Sequence, residues 1–267
     1  MNTQLDTTHW SNVAEQWIAW ARTPGHDAFW AYRAFMVDFV GQGSGQALEA
    51  GCGEGRVCRE LKQLGYHVTA TDAVVELVEA AQQMDSAHNY ATADSRNLPF
   101  EDGQFDLVVA YNLLMDVQDM PAVVKELRRV MKSTATLFVS LVHPFRDCGQ
   151  FTSSEPDAPF VVSGTYFDRR RFEGQEKRGG LMMHFAGWSQ PLEDYVTAFE
   201  KAGLGITSLR EPIPAQPVED FLKQALRLPL FLWLKARPVV WMSERAMQSG
   251  RHNERSPEGL LLPRDLP

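Results

Sequence analysis

The sequence predicts an α/β fold, a doubly wound and mainly parallel sheet flanked by helices, and three observations carry that expectation. The stretch Leu48-Glu49-Ala50-Gly51-Cys52-Gly53-Glu54-Gly55-Arg56-Val57 runs from apolar residues and an acid into three glycines spaced by single residues, ahead of a helix-like run. A strand that turns sharply into a helix, while a ligand touches its backbone, needs glycine there, because a Cβ would block both the turn and the approach. The β-branched run Tyr66-His67-Val68-Thr69-Ala70-Thr71-Asp72 then ends in a carboxylate about twenty residues past the glycines, where doubly wound folds place the acid that receives ribose hydroxyls. From there to Val142 strand-like runs alternate with helical ones, the pattern of a parallel sheet with right-handed crossovers.

Taken in order, the elements begin with a tryptophan-dense region. Trp10, Val13, Ala14, Trp17, Ile18 and Ala21 recur at helical spacing, with Trp20 off that stripe, and a second helix is expected around 27–40 before Gly41-Gln42-Gly43-Ser44-Gly45 stops it. These helices form an N-terminal cap over residues 1–45. The main domain, 46–242, continues with helix over 74–84, strand over 89–93, strand over 105–111, helix over 120–132 and a buried-type strand over 134–142. Between Phe145 and Ser189 the pattern lapses into Gly, Pro, Asp, Ser and Arg with short apolar islands. A segment that long in a compact domain reads as a lid insertion with two short strands. Helix over 192–202, capped by Gly203, leads to strands over 206–211 and 228–235, and a polar tail is expected over 243–267.

The glycine run departs from the dinucleotide fingerprint G-x-G-x-x-G, whose third glycine would stand at position 56, where the chain has Arg56. As E-x-G-x-G-x-G it resembles motif I of the class I S-adenosylmethionine-dependent methyltransferases of small-molecule type. Ala93-Asp94-Ser95 and the following Phe105-Asp106-Leu107-Val108 are similar to that family's acidic loop and fourth strand, and the resemblance covers roughly Leu48 to Lys235. It implies a Rossmann-like, seven-stranded sheet of order 3-2-1-4-5-7-6 with the last strand antiparallel, and S-adenosyl-L-methionine as cofactor. It also implies cofactor contacts from Glu49, Gly51, Cys52 and Gly53, from Asp72 and Ala73 at the ribose, from Asp94 and Ser95 at the adenine, and from Asn112 and Leu113 near the methionine end.

Composition sets the bounds. A formal charge of −8 lacks the basic field of a general nucleic-acid binder, and Arg169-Arg170-Arg171 reads as a solvated loop face. The three separated cysteines suit a reducing compartment rather than a disulfide framework. No signal peptide is evident, and the longest apolar stretch, Leu228 to Leu234, is interrupted by Pro229, so a cytoplasmic protein is expected, monomer or homodimer, acting on a small molecule without nucleic acid or membrane.

Methyl transfer from a sulfonium needs alignment, water exclusion and sometimes a base, not a dedicated nucleophile. The chain has no G-x-S-x-G elbow, no H-E-x-x-H and no metal-spaced His/Cys cluster; Asp147 is a faint echo of the magnesium-dependent catechol type. Tyr111-Asn112-Leu113-Leu114-Met115-Asp116 lacks the proline pair of amino-methylating DNA enzymes. Candidate bases are His143, His184 and Asp116, and candidate substrate contacts are Trp20, Arg22, Tyr32, Tyr166 and Trp188, with Phe151, Phe167 and Phe185 as further apolar walls. The rival readings are an NAD(P)-dependent oxidoreductase, opposed by Arg56 and the Asp94 loop, and a non-catalytic S-adenosylmethionine-binding protein, opposed by the intact glycines and nucleotide acids.

Overall fold

The computed structural model describes residues 4–239, so the tail expected at 243–267 lies outside the described residues. Seven strands form one mixed sheet: β1 (Gln46–Ala50), β2 (His67–Asp72), β3 (Asn89–Thr92), β4 (Phe105–Tyr111), β5 (Met131–Val142), and the last two among the described residues, β10 (Leu204–Arg210) and β11 (Phe231–Pro238). Their spatial order is β3-β2-β1-β4-β5-β11-β10, with β11 antiparallel to both neighbours and the first five strands parallel. Counting only sheet strands, this is the expected 3-2-1-4-5-7-6.

Two-residue periodicity divides the core between the two faces. On β4, Val108 and Ala110 join Val123, Leu127 and Phe199 under α5 (Met120–Val130) and α6 (Leu192–Lys201). Leu107, Val109 and Tyr111 point the other way, into a cluster with Phe29, Tyr32 and Met36 of α2 (Phe29–Val40) and Val57 and Leu61 of α3 (Arg56–Gln63). Helix α5 is stopped earlier than expected: Met131 already has extended backbone and starts β5, so no loop separates the two.

The N-terminal helix α1 (Gln4–Arg22) buries two stripes rather than one. Ala14, with Trp10, Trp17 and Ile18, meets Val74 and Leu77 beside α4 (Val75–Gln83), whereas Val13, Trp17 and Trp20 meet Met183 and Phe185. Trp20, expected off the stripe, is therefore 1% exposed. Its spacing from Val13 and Trp17 is itself helical, so a single-stripe reading could not see it.

The insertion is also more ordered than the sequence suggests. It holds four strands, a short pair β6 (Gly149–Phe151) and β7 (Phe160–Val162), and a hairpin of nine-residue strands, β8 (Arg170–Arg178) and β9 (Leu181–Ser189). β8 is largely solvent-facing and charged, so it shows no apolar alternation, and its backbone ladder with β9 holds it in place. β9 lies along α1, which makes the hairpin a wall of the cleft above the sheet's carboxyl edge.

Candidate functional site

At the end of β1 the backbone turns through Gly51 and Gly53, both left-handed at φ +71° and +54°. A Cβ on Gly51 would stand 2.8 Å from Leu113, and one on Gly53 2.9 Å from the Trp17 indole nitrogen, so only glycine keeps this turn both strainless and open. The turn is tied to β2 by Asp72, whose carboxylate accepts from the Gly53 amide at 2.9 Å and the Val74 amide at 3.0 Å. Burial pushes the Asp72 carboxyl up, against those amide bonds. From below, the buried Glu54 carboxylate accepts from Arg59 at 2.8 Å and from Arg22 at 3.1 Å, and Arg22 also donates to the Ala80 carbonyl.

Glu49 is 2% exposed and one of its oxygens, Oε2, has no hydrogen-bond partner among the described residues. Desolvation pushes its carboxyl up to about 8, with Cys58 and Arg56 opposing. At the end of β4, Asn112 adopts φ +54°, a conformation Asn tolerates, while its Oδ1 accepts from the Ser140 hydroxyl at 2.8 Å. Asp94 is held below the usual carboxylate range by Arg96, which binds it through side chain and amide.

All ten residues expected to touch cofactor, Glu49, Gly51, Cys52, Gly53, Asp72, Ala73, Asp94, Ser95, Asn112 and Leu113, line one cavity of about 580 Å³, a size suited to a cofactor with a small acceptor. Its roof is aromatic: Trp10, Trp17 and Trp20 from α1, Phe185 from β9, and Phe221 from a 3-10 helix, Asp220–Leu226. Arg56, 7% exposed, pairs with Asp27 at 2.8 Å and lies over the rings of Trp17 and Phe29. Arg178 lies over Phe221 at 3.6 Å and Trp20 at 5.0 Å.

The other candidates divide. Trp20 and Asp116 line the cavity, as does Phe185, but eight others do not, among them Phe151, which packs on Phe160, and the exposed Phe167. Arg22 is committed to Glu54, and Tyr32 is buried behind Phe231 with ring centroids 4.9 Å apart. The Tyr166 hydroxyl accepts from the Leu192 amide at 2.9 Å, and Trp188 stacks under Arg169 at 4.2 Å. His143 turns its Nε2 to Glu211 at 2.9 Å, and His184 faces Gln16 and Gln175 on the α1 side of the hairpin. Strand alternation explains His184, since its neighbour Phe185 takes the inward direction. The sequence reading passed over Asp27, Arg146, Arg178 and Phe221, and noted Arg56 only as a departure from a glycine pattern. These cavity residues carry no local motif and converge only through tertiary contacts. Among the described residues, no group of three His, Cys, Asp or Glu side chains is placed to hold a metal, and no helix is long and apolar enough to cross a membrane.

Residues 48–139 match the family model described as a methyltransferase domain. Over 146 residues the chain is 30% identical to a malonyl-[acyl-carrier protein] O-methyltransferase of Serratia marcescens, a stretch covering 52% of this chain and little more than half, 56%, of that protein. Over 203 residues it is 26% identical to the protein of the same name from Enterobacter lignolyticus, covering 73% and 78%. The crystal structure of an S-adenosylmethionine dependent methyltransferase from Mesorhizobium loti superimposes with a TM-score of 0.62 at 20% identity, covering 79% of this chain and 98% of that one, a likeness of fold.

Proposed function

Because the chain carries a class I S-adenosylmethionine-dependent methyltransferase domain, we propose that it transfers a methyl group from that cofactor to a small-molecule acceptor with an apolar or aromatic body. The convergence of the ten expected cofactor residues on a single cavity is the observation that carries this reading. The cradle fits the group: the glycines leave the room a Cβ would fill, Asp72 keeps lone pairs for hydroxyl donors, and Glu49 offers an unpartnered oxygen. When bound there, S-adenosylmethionine supplies an electrophilic methyl carbon whose departure leaves a neutral thioether.

The chain's own part is alignment and water exclusion. Trp17, Trp20, Phe185 and Phe221 close the roof with aromatic surface, and Asn112 and Leu113 position the end of β4. Asp116, just beyond them on the cavity wall, is the side chain placed to take a proton if the acceptor must lose one. The matches to proteins named for malonyl-acyl carrier protein favour a second reading, O-methylation of a carboxyl group on a carrier-bound acyl chain.

Transfer of a labelled methyl group to a panel of phenols, indoles, free carboxylates and carrier-bound carboxylates separates these readings. Labelled methanol released on alkaline hydrolysis marks a carboxyl ester. Failure to bind S-adenosylhomocysteine in calorimetry, with binding of NADH instead, would overturn both.

A further inference from the structure

The cleft's corner beside the ends of β4 and β5 contains donors that the protein itself leaves unused. Arg146 lines the cavity just past β5, and its Nη1 is buried without a hydrogen-bond partner among the described residues. The Tyr111 hydroxyl, on the cavity wall at the end of β4, is buried beside Ser140, and the Tyr32 hydroxyl, behind Phe231 and off that wall, is buried without a hydrogen-bond partner among the described residues. Tyr32 interacts electrostatically with the Arg146 guanidinium and with the Tyr111 phenol. Leaving a buried guanidinium nitrogen unsatisfied on a cavity wall is unusual, because it forfeits its water without replacement. Arg56 and Arg178, the cavity's other arginines on this roof, are already paired with Asp27 and Glu176.

A guanidinium only donates, and a phenol donates readily, so the group that satisfies this corner must accept several hydrogen bonds and carry negative charge. We infer that Arg146, beside the Tyr111 phenol, forms an anion subsite that holds a carboxylate of the methyl acceptor, with the acceptor's apolar body against Leu222, Leu230 and Phe231. This rests on the methyltransferase reading and names the acceptor class within it. Asp147 lies beside Arg146 on the same cavity wall, so with an acid already facing this corner a singly charged carboxylate suits it better than a dianionic phosphate. Arg146 also lies over the Phe151 ring at 4.8 Å, which holds the guanidinium in place without using its donors.

The test is calorimetry on the protein saturated with S-adenosylhomocysteine, using straight-chain carboxylates from butyrate to decanoate, each against its amide. The expected result is at least about tenfold tighter binding of carboxylate than of amide at the best chain length, as one charge-assisted hydrogen bond supplies. Arg146→Met should remove that preference with S-adenosylhomocysteine affinity unchanged, and Arg146→Lys should keep part of it. Equal binding of acid and amide, no binding of either, or a preference that survives Arg146→Met would overturn the subsite. An alkyl phosphate binding more tightly than its matched carboxylate would overturn the carboxylate assignment. Loss of S-adenosylhomocysteine binding by the wild-type protein is a separate outcome, which sinks the cofactor reading instead.

Discussion

The carboxylate of Asp72 accepts a hydrogen bond from the amide of Gly53 at 2.9 Å, joining the ends of two adjacent parallel strands across the mouth of the cleft. The acid proposed to receive the ribose hydroxyls is thus also a strut for the glycine loop proposed to cradle the cofactor. One oxygen is engaged by Gly53 and the other by Val74, and both retain lone pairs.

Replacing Asp72 with Ala removes a charged acceptor and the strut together. Cofactor affinity should fall by roughly tenfold or more, the equivalent of about 1.5–3 kcal/mol for hydrogen bonds to a charged group. Gly53→Val should abolish binding, because φ +54° disfavours a β-branched residue and its Cβ would stand 2.9 Å from Trp17. Calorimetry with S-adenosylhomocysteine checks both, and unchanged affinity in Asp72→Ala would remove Asp72 from the site.

Glu49 predicts a pH dependence of the free protein. Its carboxyl is raised from 4.5 to about 8 by desolvation, so folding favours the neutral form. Its contribution to stability is therefore complete below about 4.5 and is lost progressively as the pH rises through about 8. Glu49→Gln, which stays neutral, should melt close to wild type at the acid end of that window and above wild type at the alkaline end. Melting curves that remain parallel across the window would show that Glu49 is ionised throughout.

How far the sequence is legible depends on whether a residue's partner is fixed locally. Gly51, Gly53 and Asp72 lie at spacings dictated by one strand-helix-strand unit, so their convergence follows from the crossover rule. The sheet order was legible only through the family resemblance that these motifs carry. Arg146 and Tyr111 come from a short 3-10 helix, Arg146–Cys148, and a strand whose cavity wall is completed only once β11 is inserted beside β5. Nothing in their neighbourhoods marks them. The β8–β9 hairpin was hidden because a solvent-facing ladder needs no apolar alternation, and His143 was misplaced because a strand's end fixes a residue's position but not the direction of its ring.

Arg22 offers a sharp contrast between a pocket residue and a structural one. Its guanidinium reaches the fully buried Glu54 carboxylate and the Ala80 carbonyl, locking α1 onto the glycine loop. Arg22→Ala leaves Glu54 with Arg59 alone and should cost about 1–3 kcal/mol of stability, or roughly 2–4 °C in melting temperature per kcal/mol for a domain of this size. The KM for the acceptor should hardly move once cofactor is saturating. An unchanged melting temperature with a raised acceptor KM would restore Arg22 to the substrate site.

The last prediction concerns the proton. His143 stands at the end of β5, where a base could face the acceptor, yet its Nε2 meets Glu211 at 2.9 Å, its Nδ1 accepts from the Phe145 amide, and its side chain is absent from the cavity wall. Asp116 follows β4 on that wall, beside Asn112 and Leu113. A base must reach the proton it removes, directly or through one water, and of the three candidates Asp116 alone lines the cavity. Asp116→Asn should lower kcat by about 10²–10⁴ for an acceptor that must be deprotonated, and leave an already ionised acceptor much less affected. His143→Gln should keep kcat near wild type and lose at most about 1 kcal/mol of stability, the range of one hydrogen bond. The decisive measurement is single-turnover methyl transfer against pH for both variants with one phenolic and one carboxylate acceptor. A collapse of transfer in His143→Gln at unchanged melting temperature would return the base to β5, and full activity of Asp116→Asn on the phenol would leave alignment alone as the source of rate.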